Sequence, residues 1–217
     1  ARLAPRALRA GELAEALAIP APTLSFHLQR LLTAELVSVE RHGRELADAV
    51  DRVMGAGTDV AGPLRAAFTT VPLDYAPAPD ADAWRRKLSD ANPHVRSHAQ
   101  MMLDVIARDG HTVTAEPAPL HVLRLGPLPI VALSGEVVVD YALAVKRKYG
   151  GGTWVAAYAD SVFGYVPSTR VLREGGYEGG DAMLYFGRPG PFAGSVESRV
   201  LGGVDRLMAA AGIAPAP

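Results

Sequence analysis

The chain has no cysteine, which excludes disulfides, thiolate metal sites and cysteine nucleophiles. It also lacks an excess of charge of either sign. The formal net charge is −1, so no global basic field draws it to nucleic acid, and any affinity for DNA has to come from a local patch. Long apolar runs are missing too. The longest, over residues 128–133, is the length of a strand and contains Pro129, far short of the ~20 residues that span a bilayer. Residues 1–10 carry Arg2, Arg6 and Arg9 but no continuous apolar stretch, unlike a signal peptide, so the chain as it stands is expected in the cytoplasm. It begins with Ala rather than Met, and we expect a fragment, a processed product or a partial reading frame.

What is present suffices for a core. With 217 residues and 49% hydrophobic content, the chain fits one mid-sized domain, or one domain with a small appendage. Composition and period change near residue 40, which divides the chain into residues 1–41 and 42–217.

Residues 11–30 split at Ile19-Pro20 into two helical patterns, the first with Leu13 and Leu17 on one face and the second with Leu24, Leu28 and Leu31 on one face of its own. Pro20 breaks the first helix. Pro22 and Thr23 stand where a second begins. Residues 36–41 alternate like a short strand. Helix, tight turn, helix and strand is the order of a winged helix-turn-helix, and residues 21–28 with 36–44 resemble the recognition helix and wing of ArsR-like repressors. The resemblance implies DNA binding through residues 11–44, with Thr23, Ser25, His27, Gln29 and Arg30 offering polar side chains to the groove. Residues 45–54, however, space Leu46, Val50, Val53 and Met54 as a helix where the wing should return as a strand. Two amphipathic helices acting as structural caps remain an equal alternative.

The remainder reads as an α/β unit: a mixed or mainly parallel sheet with flanking helices. Strands are expected at 62–73, 120–125, 129–133, 153–159 and 182–186, and helices at 80–90, 93–108, 137–149 and 195–211. Asn92 and Pro93 mark one helix start, and Gly150-Gly151-Gly152 a helix stop. Strand, helix, strand around residue 140 suggests a parallel crossover, which brings Glu136 and Tyr165 to the same end of the sheet.

By spacing alone these residues have ordinary roles. Ser134 can cap the helix, and Glu136 in its first turn is worth roughly 0.3–1 kcal/mol against the helix dipole. Tyr165 and Tyr177 read as packing aromatics. His94 and His98 lie four apart on a helix, a spacing that can face one metal ion, but no third ligand accompanies them and a solvated face is the expected reading.

Gly135-Glu136-Val137-Val138-Val139-Asp140-Tyr141, Gly164-Tyr165-Val166-Pro167-Ser168 and Gly175-Gly176-Tyr177-Glu178-Gly179 together resemble the second half of a neutral ceramidase catalytic domain, over about residues 42–207. That family hydrolyses the N-acyl amide of ceramide with zinc. The resemblance implies Glu136 and Tyr165 as zinc ligands, Tyr177 as a catalytic group beside the scissile amide, and a ceramide-like lipid amide as the substrate of a complete enzyme. The family's two zinc histidines and its serine-bearing loop have no counterpart here, so the chain alone is expected to be inactive. A DNA-binding regulator with a ligand-sensing α/β domain is the alternative.

Overall fold

The computed structural model describes residues 40–54, 57 and 59–217, with side chains in the first helix from Leu46 onward. The chain divides into two compact units, Ala1–Asp59 and Val60–Pro217. In the first, α1 (Glu40–Met54) is a fifteen-residue helix. The strand expected over 36–41 therefore does not include Glu40 and Arg41. The apolar residues at helical spacing carry the helix back through Gly43. Residues 1–39, among them the proposed groove-facing side chains, lie outside the described residues.

The second unit is built on a hairpin. Strands β1 (Leu64–Asp74) and β2 (Ala115–Leu125) pair antiparallel over their whole length, and β3 (Leu128–Leu133) follows antiparallel to β2. After β3 the chain forms β4 (Glu136–Val137), crosses through α4 (Val139–Tyr149) and returns as β5 (Trp154–Ala156) parallel to β3. The main sheet thus has the order β1-β2-β3-β5 and is mixed, with one parallel pair. The unit is α/β with flanking helices, as the sequence suggests.

Between β1 and β2 the chain makes α2 (Ala81–Lys87), capped by Asp80, and α3 (Pro93–Asp109), capped by Asn92 and closed by Gly110 at φ 82°. Side-chain oxygens of Asp80 and Asn92 accept from the backbone N–H of Ala83 and His94, satisfying donors the first turn leaves unpaired. Beyond β5 come β6 (Tyr165–Val166), α5 (Thr169–Glu174), α6 (Gly176–Gly179), a 3-10 turn (Asp181–Leu184) and the closing helix α7 (Val196–Ala210). β4 and β6 form a separate two-stranded parallel sheet.

Three expectations give way. Residues 182–186 are not a strand: a 3-10 turn is followed by Tyr185 in the right-handed helical region, entered through Gly180, whose tight approach to Pro191 bends the chain. Residues 153–159 shorten to three strand residues, because Tyr158 and Asp160 turn into left-handed conformations at φ 61° and 58°. The helix after β3 starts at Val139, so Ser134 does not cap it. Val138 occupies the cap position without a side-chain bond, and the buried Ser134 hydroxyl has no hydrogen-bond partner among the described residues.

The core lies between the sheet and α7. Val71, Leu73, Leu120, Val122, Val131 and Leu133 point to one face of the sheet and are almost fully buried against Val196, Val200, Val204 and Met208 of α7. Burial of each such side chain contributes roughly 1.5–3 kcal/mol before entropy is counted. Gly203 lets the helix settle: a Cβ there would stand 2.5 Å from Leu120 Cδ1 and 3.0 Å from Val71 Cγ1. Its neighbour Gly202 has only the end of Arg206 within reach, at 3.7 Å. Gly203→Ala is therefore expected to destabilise by about 1–2 kcal/mol through overpacking, while Gly202→Ala stabilises by about 0.5–1 kcal/mol through helix propensity. Urea midpoints should move in opposite directions with unchanged slopes.

Candidate functional site: a carboxylate among tyrosines

Where β3 ends, Gly135 takes φ 77° and its Cα lies so near the neighbouring segment that a Cβ would meet Val166 Cγ2 at 2.7 Å and the Gly164 carbonyl at 3.1 Å. This close approach lets Gly135 N–H donate to Ser161 O and Glu136 N–H to Gly164 O, both at 2.9 Å. In the short ladder that follows, Glu136 stands directly opposite Tyr165. Paired residues in a ladder point to the same face, so the carboxylate and the phenol meet. Glu136 is thus a strand residue, not a first-turn helix residue.

A third segment joins them. The Tyr158 hydroxyl donates to Glu136 Oε2 at 3.2 Å, from a residue held in a left-handed conformation that a bulky side chain rarely adopts. Tyr177, on α6, places its ring 5.5 Å from that of Tyr165 in an edge-on arrangement, and Tyr185 follows 6.2 Å further on. The residues singled out from sequence, Glu136, Tyr165 and Tyr177, are therefore brought together. Tyr158, Arg170 and Glu178 were not foreseen; they line the same cleft of about 340 Å³, with Val137, Val138 and Val139. Nothing in the spacing of Tyr158 betrays it, since its reach depends on the turn at residues 157–160.

Arg170 closes one side. Its guanidinium grips Asp140 with Nε and Nη2, each at 3.1 Å, and Glu174 at 2.7 and 2.8 Å. Asp140 also accepts from Ser168, the cap of α5, and these donors, Arg170 first, hold its carboxyl below the usual range. Arg170 is thereby neutralised by two carboxylates, which leaves Glu136 and Glu178 to give the cleft an anionic character.

The tyrosines respond to this field. The Tyr165 phenol is pushed up to about 12, first by burial, then by its interaction with the Glu136 carboxylate and by the neighbouring phenols. Tyr158 is also raised, chiefly by the charge of Glu136. Both phenols are proton donors rather than phenolates at neutral pH.

The histidines whose side chains are described, His94, His98, His111 and His121, are occupied elsewhere. His98 is buried, not on a solvated face: its Nε2–H donates to Arg188 O at 2.7 Å and its ring meets Trp84 edge-on, while burial lowers its basicity. His94 is exposed against the Tyr185 ring, His121 bonds Asp160 at 2.7 Å and His111 bonds Thr112 O. His94 and His98 therefore do not face one point. Among the described residues no three His, Cys, Asp or Glu side chains converge as a metal site. A catalytic zinc takes about three protein ligands, and Glu136 with Tyr165 would supply two. These residues do not by themselves make a complete zinc centre, and no hydrolytic step follows from them.

The comparison with known families decides one part of the chain. Residues 3–39 match the model of the bacterial regulatory protein, arsR family. The ArsR-like helix-turn-helix resemblance is thus supported. The match covers a minor part of the chain and stops short of α1. No curated protein and no solved structure matches. The resemblance of residues 42–207 to neutral ceramidases has no counterpart among these findings.

Removing the Glu136 charge should ease ionisation of its neighbours. In Glu136→Gln, phenolate formation at Tyr165 is expected to move down from about 12 toward the ordinary 10, remaining above it because burial persists. Ultraviolet titration checks this, with Tyr165→Phe identifying that residue's signal. The raised phenol also sets a sign for stability: its contribution is complete below about pH 10 and fades as pH climbs to about 12. Glu136→Gln should flatten that alkaline loss.

Proposed function

We propose that the chain is a DNA-binding regulator whose α/β unit offers a cleft for a small ligand. The observation that carries this reading is the family match over residues 3–39, which spans both helical patterns and the residues assigned to the groove. In that reading Thr23, Ser25, His27, Gln29 and Arg30 contact DNA, and the cleft at Glu136 receives the effector.

The charge inventory shapes the expected affinity. Residues 1–41 contain five arginines, no lysine and four glutamates, so few phosphates are neutralised and the salt dependence is shallow. Fluorescence anisotropy of the full chain on a palindromic duplex should show binding that weakens with salt. Arg30→Ala should reduce the slope of log K against log salt by about 1 if Arg30 meets a phosphate, or lower discrimination between sequences if it reads a base. Equal affinity of wild type and a variant lacking all five polar groups would defeat the DNA reading.

A second reading is favoured by one observation, the meeting of Glu136 with the phenols of Tyr165 and Tyr158 from separate segments, with the Tyr177 ring beside Tyr165. There the α/β unit is neutral-ceramidase-like and keeps half of a zinc amidohydrolase site, with Glu136 and Tyr165 as ligands, Tyr177 beside a ceramide-like amide and zinc as cofactor. With only those two ligands, the chain should not turn over a fluorescent ceramide even with added zinc. Turnover abolished by Glu136→Ala would instead establish a hydrolase.

A further inference from the structure

The lining of the cleft at Glu136 selects the chemistry of its occupant. One wall is a run of valines, Val137, Val138 and Val139, the last of them 64% exposed. Glu136, half-buried, meets the phenols of Tyr158 and Tyr165, and the Tyr177 ring extends the aromatic wall beyond Tyr165.

Charge sorts the candidate ligands first. Arg170, the only cationic residue of that lining, is engaged by Asp140 and Glu174. Glu136 accepts from a neutral phenol, and among the described residues neither it nor Glu178 has a basic side chain as ion-pair partner. An anion would therefore be repelled, and a neutral ligand would leave the Glu136 charge without a counter-ion. A bare metal ion fits no better. No three His, Cys, Asp or Glu side chains converge among the described residues, and valines offer it no ligand. An organic cation meets both requirements. Its charge answers Glu136, its carbon substituents lie on the valines, and ring faces attract it within about 6 Å. The volume of about 340 Å³ falls at the small end of the ~300–1,000 Å³ typical of small-molecule sites.

Tyr158 agrees with this. Its ring is 60% exposed, so it packs little against the fold, yet the residue is held at φ 61°. Bulky residues in that conformation concentrate at ligand clamps.

We infer that the cleft binds a small organic ammonium ion, with the charged nitrogen at Glu136 among the tyrosines and the apolar substituents on the valine wall. Protonated alkylamines and quaternary ammonium ions share this chemistry. The first add hydrogen bonds to the carboxylate, and the second rely on charge and ring faces alone. The inference deepens, and rests on, the reading of this cleft as a ligand site, and uses nothing from residues 3–39.

Isothermal titration of the full chain with n-butylammonium and with tetramethylammonium tests it. At least one cation should bind, about tenfold or more tightly than 1-butanol, the neutral analogue of the first. Glu136→Gln should weaken that binding about tenfold or more. Two further variants separate loss of the site from loss of the fold. Glu178→Gln, at an exposed residue, should weaken binding about two- to threefold, and Tyr158→Asn, which removes the ring but suits a left-handed backbone, about fivefold. Asp104→Asn, an exposed charge change on α3 outside the cleft lining, should leave affinity unchanged. Absence of binding by both cations, equal affinity for 1-butanol, or wild-type affinity in both Glu136→Gln and Tyr158→Asn overturns the inference. Anisotropy on the DNA duplex is read separately: DNA binding without ammonium binding defeats this inference alone, while ammonium binding without DNA binding upholds it and defeats the regulator.

Discussion

The close approach of Gly135 to the segment 163–166 is the constraint on which the site depends. A side chain there would collide with Val166 and the Gly164 carbonyl, and the left-handed φ would be strained for any other residue. Because the position is free, the chain leaving β3 exchanges backbone hydrogen bonds with the strand that follows β5. Glu136 then faces Tyr165 by register and not by chance of side-chain rotamer. The parallel crossover through α4 brings Glu136 and Tyr165, far apart in sequence, to this meeting. The Tyr141 hydroxyl, bonded to Pro167 O at 2.9 Å, pins the helix to the returning chain.

Behind the tyrosines stands a smaller cluster. Trp84, Ala99 and Met102 pack α2 against α3, and the bond from His98 to Arg188 O ties that pair to the segment that carries Tyr185. Rings of His94, Tyr185, Tyr177 and Tyr165 follow one another at 5.4, 6.2 and 5.5 Å, so the face of α3 is coupled through aromatic contacts to the cleft. Such contacts are individually weak, of order 0.5–1.5 kcal/mol. Their value here is positional, since Tyr177 sits on a four-residue helix between glycines and has little else to hold it.

Much of the fold was legible because the local signals were strong. Asn92-Pro93 and Gly110 bound α3, and the three glycines after Tyr149 end α4. What escaped was set by partners distant in sequence. The strand expected at 120–125 starts instead at Ala115, because β1 holds residues 115–119 extended opposite residues 70–74 in spite of Pro117 and Pro119. Glu136 looks like a helix-capping carboxylate until pairing with Tyr165 removes it from the helix. His98 looks exposed by its helical spacing with His94, but only the packing of Trp84 shows which side of α3 is buried. For the site, the glycine and tyrosine motifs pointed to the right neighbourhood. Tyr158 depends on two left-handed residues that no residue pattern announces.

The prolines of the hairpin have one more consequence. Pro72 lies on β1, the outermost strand, and faces Pro117 across the ladder. A proline offers no N–H, so the outer rim of the sheet is a poor template for an added strand. At the opposite rim β5 is only three residues long. A sheet built this way resists end-to-end growth into fibrils, and whatever associates with it is confined to a stack of finite thickness.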